Sequence, residues 1–280
     1  MKRILVVDGS NLLFQMFFGM PARIVNAEGK AIQGTLGFVG ALLKIIRRVQ
    51  PTHMVVVFDG QGENSRSEID AEYKANRIDY SNVSEEENPY SQLPDVYKAL
   101  EYLGIKYMET VTCETDDVIA GYALEYGKEC EIVISSFDSD FFQLITENVS
   151  VLRYRGEKTM VCTPAYIQEK FDISPSQYAD FKSLVGDKAD NIMGVNKVGP
   201  KTAAMLLKEY GSLQSVLENA EKISRVSIRD SLLSSAERVK KNYKLIKLRE
   251  MDELPFDINE LEFEDSGITT NEVLKGIGLK

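Results

Sequence analysis

The stretch TCETDDV at 112–118 places Glu114, Asp116 and Asp117 within four positions. Carboxylates so close repel one another, and a fold tolerates them most readily when something positive sits among them. Alone, they have a plainer reading. Thr115 would cap a helix whose apolar face begins at Val118, Ile119 and Ala123, and acid in a first helical turn suits the helix dipole. The rest of the chain repeats the chemistry, however. ILVVD ends at Asp8, VVVFD ends at Asp59, IVISSFDSD delivers Asp138 and Asp140, and GDKADN carries Asp187 and Asp190. Any one acid after a strand reads equally well as a turn residue, but nine carboxylates from five short motifs point to a shared task. No histidine or cysteine joins them: His53, the only histidine, stands at a strand entrance, and Cys113, Cys130 and Cys162 form no CxxC pair. An all-oxygen donor set suits Mg²⁺ or Mn²⁺ and disfavours zinc. Two such ions about 4 Å apart would activate a water and stabilise the leaving oxygen of a phosphoryl displacement.

For the acids to converge, the elements before them must share an edge. The runs at 3–7, 53–58 and 131–135 are short and rich in β-branched residues, as buried parallel strands are. Between them, 35–49 and 117–127 carry helical spacing, and such alternation predicts an α/β domain with a mainly parallel sheet. Ligands of these sheets bind outside the carboxyl ends of the strands, which is where the acids fall. From ISPSQYADF onward the spacing is helical only, over 200–208, 212–220 and 226–249. The expected organisation is an α/β core at 1–175, an all-helical module at 176–250 and an acidic tail with weak structural signals at 251–280. The segment DYSNVSEEENPY at 79–90 has no periodicity and four acidic residues, and reads as a mobile connection between helices.

With 280 residues, 44% apolar and 27% charged, the chain has an ordinary globular composition. No stretch approaches the roughly 20 apolar residues of a membrane helix, the start becomes polar too soon for a signal peptide, and the cysteine usage suits a reducing cytoplasm. The net charge of −10 argues against nucleic acid only until nine metal-bound carboxylates are set aside, which leaves −10 + 9 = −1.

Two basic motifs complete the set. SRSEIDAEYKANR at 65–77 reads as a helix on which Lys74 and Arg77 share a face, an arrangement that a solvated surface would also produce. GVNKVGPKTA at 194–203 misses the nucleotide-binding P-loop pattern by one residue, because Pro200 separates Gly199 from Lys201. That spacing excludes a P-loop ATPase. It predicts a helix start with Pro200 in first position, whose free amides could hold a phosphate.

VDGSN, VVFDG, YKANR, ETDDV, SFDSD and GDKADNIMGVNKVGPKTA, in this order, resemble the bacterial and phage 5′ nucleases. These are the flap endonuclease-like enzymes that also form the N-terminal domain of DNA polymerase I. The resemblance covers roughly 3–250 and implies a PIN-like nuclease core with a helix-three-turn-helix module. It further implies a two-metal hydrolysis of 5′-ended, flap or branched duplex DNA that leaves 5′-phosphates, in replication or repair, with RNA primer strands as possible substrates. It assigns Asp8, Asp59, Glu114 and Asp116 to a first metal site, with Asp117 beside them, and Asp138, Asp140, Asp187 and Asp190 to a second. Lys74 and Arg77 would contact the scissile phosphate and, with Asp116 and Asp140, form the catalytic set; Arg66 matches a further family arginine. Gly194, Lys197, Gly199, Lys201 and Thr202 would grip the duplex backbone, often with a bound K⁺. Where relatives carry a basic arch, 79–90 is acidic and short, although its Tyr80 and Tyr90 could stack on bases. The expected protein is a cytoplasmic monomer that uses Mg²⁺, or Mn²⁺ in its place. A PIN-like ribonuclease and a non-catalytic binder of branched DNA are the alternatives.

Overall fold

A computed structural model describes residues 2–60, 66, 69–70, 72–111, 113–249, 251 and 253–280. Its centre follows from β-branched runs too apolar to face water. β1 (Arg3–Asp8) continues directly into α1 (Gly9–Gly19), then come α2 (Gln33–Val49) and β2 (His53–Phe58). α3 (Leu93–Tyr102) leads to β3 (Lys106–Glu109), and α4 (Thr115–Tyr126) leads to β4 (Glu131–Ser135), β5 (Val149–Arg153) and β6 (Met160–Cys162). The six strands form one sheet in the order β3-β2-β1-β4-β5-β6, parallel except for β6. Alternation along β1 sends Ile4 and Val6 into one core and Leu5 and Val7 into the other, so the sheet is covered on both faces. α2 and α3 pack on the second face and α4 on the first, and the strand order reverses at β1 and β4. That switch point opens a crevice at the carboxyl ends.

β3, β5 and β6 lie outside the three runs read as strands. β3 is a half-exposed edge (KYME), which lacks the apolar run that marks a buried strand. Thr115, expected as a cap, is the first residue of α4 and is buried, with Glu114 in the capping position.

The helical segments after 163 are α5 (Pro164–Phe171), α6 (Tyr178–Val185), α7 (Pro200–Tyr210), α8 (Leu213–Glu218) and α9 (Val226–Ile246). A two-residue hairpin, β7 (Gly186–Asp187) with β8 (Ile192–Met193), interrupts the run expected to be helical only. Its tightness depends on glycine: a Cβ at Gly194 would stand 2.2 Å from the Val185 carbonyl oxygen. Tyr178, Phe181, Ala203 and Val239 share one core with Ile119 and Ile134, so this module and the sheet are packed together.

Three local expectations change. The described residues of 66–77 form turns where a helix was expected, and Ser65, Ser67, Glu68 and Ala71 lie outside the described residues. The segment 79–90 folds into short 3₁₀ turns at Tyr80–Asn82 and Pro89–Gln92, because Tyr80 and Tyr90 pack edge-on against Phe14 at 5.4 and 5.1 Å. The acidic tail is an anchored strap. The Phe263 amide donates to the Thr52 carbonyl (2.9 Å), and α10 (Thr270–Gly276) lies on α2 and α3 with Val273 and Leu274 buried. Leu274 packs with Ile32 and Leu279, and truncating it leaves a cavity. Leu274→Ala is expected to cost about 2–5 kcal/mol in urea-induced unfolding; a loss under about 0.5 kcal/mol would show that the strap is not part of the cooperative unit.

Candidate metal centre

VDGSN is built to tie strand ends together. Asp8 closes β1 and caps α1, its Oδ1 accepting the Asn11 amide (3.0 Å), while Ser136 Oγ, just past β4, donates to its Oδ2 (2.7 Å). Ser10 Oγ accepts the Asp59 amide just past β2 (2.8 Å), and Asn11 Oδ1 accepts the Phe137 amide (3.1 Å). The ends of β1, β2 and β4 are thereby locked, and Asp8, Asp59 and Asp138 face a common cleft of about 590 Å³. Glu114, at the head of α4, and Asp116, in its first turn, line the same wall.

Opposite them stand Lys74 and Arg77, delivered by turns and not by a helix. Lys74 sits at φ 57, in the left-handed region, with its amide donating to the Asp190 carbonyl (3.1 Å) and its Nζ to Glu114 Oε1 (3.0 Å). Arg77 Nη2 donates to Asp190 Oδ1 at 3.0 Å and is half-exposed. Arg66 was expected at the DNA. It is instead 1% exposed, with its guanidinium against Glu114 and Asp117. Asp117 turns from the cleft to accept from Arg66 (2.7 Å) and from the Arg249 amide (3.0 Å).

A second cluster adjoins the first. Asp140, Asp187 and Asp190 each offer a carboxylate oxygen, all within 4.8 Å of one another. The β7–β8 hairpin carries Asp187, whose Oδ1 accepts the Ala189 amide (2.8 Å), and Asp138 Oδ1 accepts the Asp140 amide (2.8 Å), joining the clusters. Lys182, on α6, reaches both Asp140 Oδ1 and Asp187 Oδ2. The sequence reading missed Lys182, since nothing distinguishes one lysine in FKSLVGD until α6 and the hairpin fold against each other. Ser10, Asn11 and Ser136 lie beside the acids in the sequence, but only the folded strand ends show that they tie those ends together.

The electrostatics match a cation site. Burial and then the charge of Asp59 push Asp8 up to about 7, although the Asn11 amide and Ser136 pull the other way. Burial and the charge of Asp138 hold Asp116 well above the usual carboxylate range, with Asp8 and Asp59 adding to the effect and Lys74 opposing it. Asp140 rises to about 7 by burial and the charge of Asp138, against the pull of Lys182. Burial alone would raise Asp187, but Lys182 and two backbone amides overcome it and hold it low.

The residues expected at the duplex backbone are on separate ground. Val195 and Val198 are buried and anchor the loop before α7, whereas Lys197 and Lys201 are exposed and Thr202 is half-buried. Lys197 adopts φ 64, and Pro200 is the first residue of α7, as the sequence predicts. None of these residues lines the acidic cleft.

Two family models match the chain in succession. "5'-3' exonuclease, N-terminal resolvase-like domain" covers residues 3–172, and "5'-3' exonuclease, C-terminal SAM fold" covers residues 173–268. A 5'-3' exonuclease of Aquifex aeolicus is 35% identical over 250 residues, which are 89% of this chain and 82% of that protein. The thermostable DNA polymerase I of Thermus thermophilus is 33% identical over 258 residues, 92% of this chain but only 30% of the polymerase. A flap endonuclease of bacteriophage T5, solved as a variant with DNA and metal ions, superposes with a TM-score of 0.72 at 22% identity, over 88% of this chain and 89% of that one.

Proposed function

This chain belongs to the 5′-3′ exonuclease family, and from that premise we propose that it hydrolyses phosphodiester bonds at 5′ ends and flap junctions of duplex DNA, with Mg²⁺ as its metal and 5′-phosphates as products. The observation that carries this reading is the convergence of buried, mutually repelling carboxylates on one cleft wall with two cations opposite. The donor set contains oxygen only, and the raised pKa values of Asp8 and Asp116 mark charge that the protein itself leaves uncompensated. Those residues fit a hard divalent cation. Asp8, Asp59, Glu114 and Asp116 would hold one ion, and Asp138, Asp140, Asp187 and Asp190 a second. Bound there, Mg²⁺ or Mn²⁺ supplies Lewis acidity toward an attacking water and the departing oxygen.

The chain's own groups do the remaining work. Lys74 Nζ and the Arg77 guanidinium, both in the cleft, receive the scissile phosphate and balance charge that develops on it. Arg66 orders the acidic wall by holding Glu114 and Asp117 apart from water, a neutralising role in place of a DNA contact. Amides at the head of α7, with Lys197 and Lys201 beside them, hold duplex phosphates and so set position without reading sequence. Potassium at that loop would have to be held by backbone carbonyls around Gly194 and Gly199. The exposed glutamates 85–87 repel a threaded single strand, which favours short 5′ ends over long flaps. Among the described residues no helix is long and apolar enough to cross a membrane, and we assign the protein to the cytoplasm as a monomer acting in replication or repair.

A 5′-labelled flap duplex and a blunt duplex, each incubated in Mg²⁺ or EDTA, test the proposal. Cleavage from the 5′ side or at the junction in Mg²⁺ alone supports it; binding without cleavage in both Mg²⁺ and Mn²⁺ overturns it.

The same carboxylates link metal, protons and stability. Asp8 and Asp140 titrate near 7 when folded and near 3.8 when unfolded, so between those values the folded state binds more protons. Metal-free stability therefore falls as pH rises through that window. Metal requires the deprotonated forms and relieves their repulsion. The rise in melting temperature on replacing EDTA by Mg²⁺ is expected to be small at about pH 5 and several degrees at about pH 8. Equal shifts at the two pH values would contradict the linkage.

A further inference from the structure

We propose that the Lys182 ammonium is a built-in counter-ion of the second acidic cluster, and that it must leave Asp140 and Asp187 before those carboxylates can coordinate metal. The proposal rests on the metal-dependent reading above and adds an order to it: the first cluster loads readily, and the second is held closed by the chain's own cation.

Three observations converge on this. Lys182 is only 7% exposed, and lysine is almost never so buried without partners. Its Nζ touches one oxygen of Asp140 and one of Asp187, two of the three residues whose oxygens lie within 4.8 Å of one another. An ammonium there occupies one oxygen of each carboxylate and repels a divalent cation, so the two compete for one carboxylate set. The first site is paired only in part: Glu114 meets Arg66 and Lys74, while among the described residues no lysine or arginine forms an ion pair with Asp8, Asp59 or Asp116. The chain thus pairs Asp140, Asp187 and Asp190 with cations of its own, whereas Asp8, Asp59 and Asp116 of the first site carry no ion pair among the described residues.

The consequence is a centre that responds to metal concentration in two stages. Lysine suits the part because its charge sits on a flexible four-carbon stem, so Nζ can withdraw while α6 stays packed. Asp190 has its own counter-ion in Arg77 at 3.0 Å, so three of the four carboxylates assigned to the second ion, all but Asp138, are already matched by a side chain. Second-site affinity is therefore expected to be weak in the free protein. It should improve when a substrate phosphate offers Lys182 or Arg77 another partner.

Mn²⁺ binding to the DNA-free protein tests this, with free Mn²⁺ counted by electron paramagnetic resonance and heats followed by calorimetry. The wild type is expected to bind one ion tightly and a second weakly. Lys182→Met, which removes the charge and keeps most of the stem, should strengthen the weaker site at least about tenfold, equivalent to about 1.4 kcal/mol. Adding Asp140→Asn should abolish the gain, and Lys182→Arg should retain weak wild-type binding. The methionine variant should also melt lower than wild type in EDTA and recover in excess Mn²⁺. A merely structural lysine would lower stability in both conditions without raising affinity. Weaker-site affinity that is unchanged or reduced in Lys182→Met overturns the proposal. Should that variant not fold, Lys182→Gln carries the same expectation. If neither wild type nor variant binds any Mn²⁺, the metal-centre reading itself fails, a result distinct from two sites that ignore Lys182.

Discussion

Asp116→Asn is expected to lower the rate of 5′-end cleavage at least about a thousand-fold while raising the melting temperature of the metal-free protein. The two effects have one cause. Asp116 stands in the first turn of α4, facing Asp138, Asp8 and Asp59, and burial with these like charges lifts its pKa well above the usual range. Asparagine keeps the shape and removes the charge, so the metal-free fold loses a repulsion while the centre loses a ligand. A thousand-fold is about 4 kcal/mol of transition-state stabilisation, in keeping with the several kcal/mol that metal contributes to phosphoryl transfer. Relief of even 1 kcal/mol of repulsion should raise the melting point by about 2–4 °C in EDTA. Cleavage of a labelled duplex and thermal denaturation in EDTA check both halves. Retained activity would remove Asp116 from the centre. A lower melting point in EDTA would show that the carboxylates are not in conflict, and with that the need for a cation would disappear.

The second large effect is expected at Lys74. Lys74→Ala should lower kcat by about a hundred- to a thousand-fold with little change in duplex affinity, as losing one preorganised donor to developing charge typically does. Its geometry is maintained at some cost. A φ of 57 is uncommon outside glycine, and the Asp190 carbonyl, accepting the Lys74 amide at 3.1 Å, helps to hold it. Nζ is 3.0 Å from Glu114 and 4.8 Å from the Tyr73 ring centroid, so the ammonium is aimed along the cleft wall instead of into solvent. Strained backbone that delivers one charged side chain to a reacting phosphate fits a role expressed in kcat. Single-turnover rates at saturating DNA, alongside a binding titration, separate the cases. A drop in affinity that accounts for the whole loss would make Lys74 a phosphate anchor and not a participant in the chemical step.

Arg66 and the tail show where residue type alone misleads. Arg66 belongs to a motif whose other basic residues line the cleft, and sequence order suggests the same exposure for it. Tertiary packing buries it against Glu114 and Asp117, with its guanidinium paired to both. The residues after 250 are acidic and weakly periodic, yet Phe263 and Val273 pack into the core on the sheet's second face and Leu274 into a small cluster with Ile32 and Leu279. Short apolar contacts spread over thirty residues do not register as a period, because period is a local property and this burial is long-range.

The amino-acid sequence alone determined that acids stand at the ends of β-branched strands, and parallel strands bring their carboxyl ends to one edge. Asp8, Asp59 and Asp138 were therefore legible as neighbours before any fold was known: a strand's hydrophobic run and its terminal residue are adjacent along the chain. Helices α2, α4, α7 and α9 were legible for the same reason, since their apolar faces repeat within a few residues. What the tertiary structure decided is which charge answers which. Lys182 meets Asp140 from 42 positions away, Ser136 meets Asp8 from 128, and Arg66 meets Asp117 from 51. Such pairings are set by the way α6, α4 and the sheet edge pack, and electrostatic energy depends on distance in space, which spacing along the chain does not encode.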